Sequence, residues 1–118
     1  MPNLKLVSLV CHRPDDLDEE DAVFDVGVED EPYIIAGNKR VWSGRMGVDD
    51  VEDLTGVEPI SFKNSIRVEL WDRDSGYVLG EDDPLGNVTI QAFQSELGEL
   101  SHQFRRKKAK YTLTYKVE

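Results

Sequence analysis

Apolar residues in this chain recur at every second position, in short runs cut off by turn formers, and no long segment carries the spacing of a helix face. Ile66, Val68 and Leu70 alternate with Arg67, Glu69 and Trp71. Tyr111, Leu113, Tyr115 and Val117 alternate with Thr112, Thr114, Lys116 and Glu118. Near the start, Leu4, Leu6, Ser8 and Val10 take one face of a strand, and Lys5, Val7 and Leu9 the other. A period of two sends successive side chains to opposite faces of a sheet, so each run has one face for a core. Further strands are expected over residues 32–36, 39–43, 59–62 and 87–92, with Val88 and Ile90 inward. Gly37-Asn38 is a two-residue hairpin signal between the first two of these. Residues 44–56 read as a loop, and 94–100 as one or two helical turns. A chain of 118 residues divided in this way fits one all-β domain over 1–118, an eight-stranded antiparallel β-sandwich.

Charge narrows the function. Asp and Glu number 24 against 14 Lys and Arg, a net charge of −10. That excess repels bare nucleic-acid phosphates, and no nucleic-acid partner is expected. It does not exclude an anionic surface once bound cations reverse the local field. Cys11 stands alone, so no disulfide forms within the chain. With only His12 and His102 beside it, zinc lacks its usual ligands. No N-terminal apolar run has the length of a signal peptide or a membrane span. The expectation is a cytoplasmic protein, one exported by another route, or part of a larger chain.

The acids are concentrated in two stretches, from Asp15 to Glu31 and from Asp72 to Asp83. Loops of a sandwich gather at the ends of its sheets. Two acidic loops meeting at one end either raise their pKa values or take up a cation. Calcium accepts six to eight oxygens in flexible geometry, which suits irregular loops of Asp and Glu. A charge run alone is a solvated face, and Asp15–Asp21 is open to that reading. Asp72 and Asp74 differ, because they leave a strong strand two residues apart and so point the same way. An EF-hand also begins with acids in this spacing, but it requires a glycine where Tyr77 stands, and the flanks read as strand.

The segment Ile66-Arg67-Val68-Glu69-Leu70-Trp71-Asp72-Arg73-Asp74 resembles the strand and third loop of C2 domains, the calcium-dependent lipid-binding sandwiches. Asp83-Pro84-Leu85-Gly86 is similar to that family's Asp-x-x-Gly entry to the following strand, here Asn87-Val88-Thr89-Ile90. Asp25-Val26-Gly27-Val28-Glu29-Asp30-Glu31-Pro32-Tyr33 resembles its first calcium loop, with Glu31 where the family has Asp before Pro-Tyr. Tyr111 to Val117 is similar to its last strand. The resemblance implies a C2-like Greek key. It also implies a calcium site drawn from Asp72, Asp74 and Asp82 or Asp83, together with Asp25, Asp30 or Glu31. A longer third loop and the acidic insertion Asp15–Asp21 depart from the family pattern.

The implied role is calcium-dependent attachment to a membrane, a protein or a glycan. An anionic phospholipid surface or a protein is the expected partner, and Tyr77-Val78-Leu79 is a candidate apolar loop tip. The alternative is a metal-independent C2-like structural or protein-interaction module. Arg105-Arg106-Lys107-Lys108 with Lys110 reads either as a patch for an anionic surface or as a sheet edge kept from aggregating by its charges. No nucleophile motif occurs, and Ser75 has no His near it in sequence, so an enzyme is not expected.

Overall fold

The computed structural model describes residues 1–14, 29–73, 82–106 and 108–118. Asp15–Asp21, Asp25, Asp74, Tyr77-Val78-Leu79 and Lys107 lie outside the described residues.

Strand β1 (Asn3–Arg13) runs between β11 (Ala109–Val117) and the short β6 (Val51–Asp53). β10 (Glu99–Arg106) lies outside β11, and β7 (Ile60–Ser61) pairs with the start of β1. The facing sheet has the order β4 (Lys39–Ser43), β3 (Pro32–Ala36), β8 (Ser65–Asp72), β9 (Asp83–Gln91). A two-residue bridge, β2 (Glu29–Asp30) with β5 (Met46–Gly47), lies apart from both sheets. Every pairing is antiparallel, and the result is the expected all-β sandwich. Among the described residues seven of these strands have five or more residues, and four are short pieces of two or three.

The core lies between the two sheets. Leu4, Leu6, Leu9 and Cys11 of β1 join Tyr111, Leu113, Tyr115 and Val117 of β11 on one side. Ile34, Ala36, Ile66, Val68, Leu70, Leu85 and Ile90 supply the other. The alternation read for β8 and β11 holds throughout, but that for β1 holds only for its first half. Ser8 and Val10 are half-buried, while Leu9 and Cys11 are buried. The cause is a register slip between Leu6, opposite Tyr115, and Ser8, opposite Thr114. One extra residue at Val7 reverses the alternation, as a β-bulge does.

Three other segments differ from the sequence reading. Residues 44–56 contain β5 and β6 and contribute buried Met46 and Leu54. The helical turn is a 3₁₀ segment, Ala92–Glu96, and β10 begins at Glu99. β9 starts at Asp83, four residues before the expected strand, and skips Leu85 between Gly86 opposite Leu70 and Pro84 opposite Trp71. Gly86 has φ +145°, and a Cβ there would sit 2.8 Å from the Phe104 ring, so the glycine is required for both backbone and packing. The Gly37-Asn38 turn takes positive φ at both residues, 59° and 67°, as a type I′ hairpin demands.

Candidate functional site

Register decides which acids meet. In β3 and β8, Pro32 lies opposite Asp72, and in β8 and β9, Asp72 lies opposite Asp83. The chain entering β3, the exit of β8 and the entry of β9 therefore share one end of a sheet. Asp72 is buried there, and its Oδ1 accepts the Glu31 N–H at 2.9 Å. The Arg73 N–H donates to the Glu31 carbonyl at 3.0 Å. The backbone of Glu31 is thus fixed at both its polar groups to the end of β8.

Of the seven expected ligands, Asp25 and Asp74 fall outside the described residues. The other five are spread over distinct environments. Asp30 is fully buried and accepts the Tyr111 hydroxyl at 2.6 Å. Cys11 packs in the same interior. Burial pushes its thiol up to about 12, against the opposing hydrogen bond with Tyr111. Burial first, and the Asp30 carboxyl after it, push the Tyr111 hydroxyl above the ordinary tyrosine range. Asp82 accepts the Tyr33 hydroxyl at 2.5 Å; burial and this bond push Tyr33 up to about 12. Asp83 is exposed at the start of β9. The Glu31 side chain turns to Arg45, with Oε1 3.2 Å from Nη2.

In kind, these donors suit a hard cation, since all are carboxylate oxygens. In placement, each of Asp30, Glu31, Asp72 and Asp82 already engages a donor of the protein itself. No group of three or more Asp, Glu, His or Cys among the described residues is gathered as a metal cage. The described part of this end is thus a rim of carboxylates held by tyrosines, an amide and a guanidinium.

The sequence reading missed those holders. Tyr111 is visible in the sequence only as an apolar position of β11, and its hydroxyl reaches Asp30 across 81 residues. Arg45 sits in what reads as a loop. With Arg40 and Arg73 it walls a cavity of about 280 Å³ that also touches Glu31, Tyr33 and Ser43. The Arg40 guanidinium lies 4.1 Å from the centre of the Tyr33 ring.

The remaining candidates have structural settings. His12 Nε2 lies 2.8 Å from Thr112 Oγ1 on the sheet surface. His102 meets the Phe104 ring edge-on at 4.9 Å, and burial lowers its pKa. Arg105 and Arg106 lie exposed on β10, the end strand of its sheet, and Arg106 Nη1 donates to the Pro84 carbonyl at 3.1 Å. Charged side chains on an end strand match the protective reading of the basic run. Among the described residues no helix is long and apolar enough to cross a membrane.

The arrangement of strands is that of a C2 domain. One solved C2-domain structure superposes on the whole chain with a TM-score of 0.57, at 17% identity and over 99% of its own length. A C2 domain of plant extended synaptotagmin 1 matches 99% of the chain at a TM-score of 0.53, with 13% identity and 92% of its own length covered. A Drosophila C2-DSL-EGF1 structure matches 98% of the chain at 0.50, with 10% identity and 66% of its length covered. No protein-family model matches the sequence, and no curated protein does. The chain therefore has the C2-like fold implied by its motifs, at identities that speak for fold alone.

Proposed function

We propose that residues 1–118 act as one non-catalytic C2-like module that binds calcium at the Asp72 end of the sandwich and, when loaded, attaches to a membrane, a protein or a glycan. The ligands are Asp72, Asp82 or Asp83, and Glu31, with Asp25 and Asp74. Asp30 serves from the interior, through Tyr111, rather than as a ligand. The observation that carries the reading is the hydrogen bond from the Glu31 amide to the Asp72 carboxylate, which ties the two acidic stretches together at one point. Calcium would add positive charge to this rim, and with it a field able to attract an anionic partner. A net charge of −10 makes the metal-free module poorly suited to an anionic bilayer.

The metal-independent alternative is favoured by one observation, that four of the five described candidate carboxylates, those of Asp30, Glu31, Asp72 and Asp82, are engaged by the protein's own donors. Melting curves in chelator, millimolar calcium, millimolar magnesium and sodium chloride of matched ionic strength separate the two. A ligand at a hundredfold excess over its Kd stabilises by about 2.7 kcal/mol. For a chain of this size that is a rise of roughly 10 °C. Magnesium should do less, because it demands a tighter octahedral shell. Coincident curves in calcium and chelator would remove calcium from the reading and leave the structural module.

A further inference from the structure

The cavity beside Glu31 is unlike the rest of this acidic molecule. Three arginines, Arg40, Arg45 and Arg73, are among the residues lining about 280 Å³, and the single acidic residue among the lining residues is Glu31. Planar guanidiniums are the side chains best suited to oxyanions, since each presents paired N–H donors. Arg40 is held over the Tyr33 ring, and Ser43 belongs to the same wall. Glu31 meets one of these cations at 3.2 Å while its backbone stays fixed to Asp72 and Arg73.

We propose that this cavity is an oxyanion site whose resident anion is the protein's own Glu31 carboxylate, and that Arg45 and calcium compete for that carboxylate. The calcium half rests on the reading of the preceding section; the oxyanion half stands without it. Because the Glu31 amide and carbonyl are both fixed, only its side chain swings. Turned to Arg45, it stands in the cavity wall and holds one of its guanidiniums. Turned to Asp72, whose Oδ1 is 2.9 Å from the Glu31 nitrogen, it joins the metal ligands. An external oxyanion that takes Arg45 releases Glu31, and calcium that takes Glu31 frees Arg45 for an external oxyanion. Each ligand therefore raises the affinity of the other, as linkage requires. The Arg45 side chain is 72% exposed, so the ion pair is weak enough to exchange.

The test has two arms with one set of variants: Glu31→Gln, Arg45→Gln and, as a control for net charge, Arg105→Gln on exposed β10. In the first arm inorganic sulfate is titrated calorimetrically in chelator. Glu31→Gln, lacking the tethered anion, should bind sulfate about threefold tighter than the parent, and Arg45→Gln more weakly. Equal binding by parent and Glu31→Gln, or none by either, overturns the oxyanion site. In the second arm calcium is titrated with and without sulfate at constant ionic strength. Arg45→Gln should bind calcium about threefold tighter than the parent, and Arg105→Gln should not. Sulfate should tighten calcium binding by the parent and leave Arg45→Gln unchanged. An equal gain in both arginine variants, or no gain in Arg45→Gln, overturns the competition. Absence of calcium binding in every protein would instead refute the calcium reading, and the sulfate arm would still decide the cavity.

Discussion

Two aspartates among the described residues accept a tyrosine hydroxyl, and their surroundings differ. Asp30 takes the Tyr111 hydroxyl at 2.6 Å inside the sandwich, where both residues are fully buried. Asp82 takes the Tyr33 hydroxyl at 2.5 Å at the loop end, where Asp82 is half-buried. The inner pair lies where water has no access, so losing either partner takes from a buried polar group a hydrogen bond that solvent does not replace. The outer pair joins a buried tyrosine to a half-buried carboxylate that solvent reaches, so breaking it should cost less. The same chemistry therefore sits in the closed interior in one place and at a solvent-reached end in the other.

The largest effect should come from breaking the inner pair. Asp30→Ala leaves the Tyr111 hydroxyl with the weakly accepting Cys11 sulfur in place of a carboxylate and opens space in the core. The expected loss is about 3 kcal/mol. That lowers Tm by about 12 °C. Asp82→Ala should lower Tm by less than about 3 °C in chelator. Thermal melts of the two single variants check this, and equal losses would erase the distinction between inner and outer pairs.

High pH sharpens the same comparison with a smaller effect. Cys11 and Tyr33 are raised to about 12, and Tyr111 is raised as well, whereas the unfolded chain ionises thiols and phenols near their ordinary values. Raised folded-state pKa values mean that stability is complete below the unfolded pKa and is lost as pH climbs through the interval to the folded one. Urea unfolding should give a constant stability up to about pH 9, falling above it. Each group adds a slope of about 1.4 kcal/mol per pH unit once its unfolded form is ionised. Tyr111→Phe should remove one such slope over the whole alkaline range, and Tyr33→Phe should remove it only below about pH 12. A stability that rises above pH 10 would contradict the burial of all three.

What the sequence makes legible follows from the range of each interaction. The alternation in β8 and β11 is local, and it foretells which side chains are buried. The β-bulge at Val7 is not legible, because nothing in Leu6-Val7-Ser8 marks the extra residue except its register against Tyr115 and Thr114. The short strands β5 and β6 are hidden among turn formers and are fixed by tertiary partners, as in the Cys11 N–H to the Asp50 carbonyl at 2.9 Å. At the candidate site the clustering of acids is legible as composition. Their holders are not, since Tyr111, Tyr33 and Arg45 reach Asp30, Asp82 and Glu31 through side chains whose direction is set only once the sheets pack. The one glycine of Asp83-Pro84-Leu85-Gly86 is readable as a motif, and its cause is the Phe104 ring against it.

The smallest expected change in stability is also the one that bears most on function. Tyr33→Phe removes the hydroxyl from Asp82 and keeps the ring under the Arg40 guanidinium. The cost should stay below about 1 kcal/mol, because water can take the place of the lost donor. If Asp82 is a calcium ligand, the parent must break this bond before it binds metal, and the variant need not. Calcium should then bind Tyr33→Phe a few-fold tighter than the parent, on the order of the worth of one part-buried hydrogen bond. Tyr111→Phe should show the reverse pattern if Asp30 is not a ligand: a Tm lower by several degrees and an unchanged calcium affinity. Paired calorimetric titrations and melts of the two variants read both quantities. Tighter calcium binding in Tyr111→Phe, with none in Tyr33→Phe, would move the metal inward to Asp30 and away from the rim.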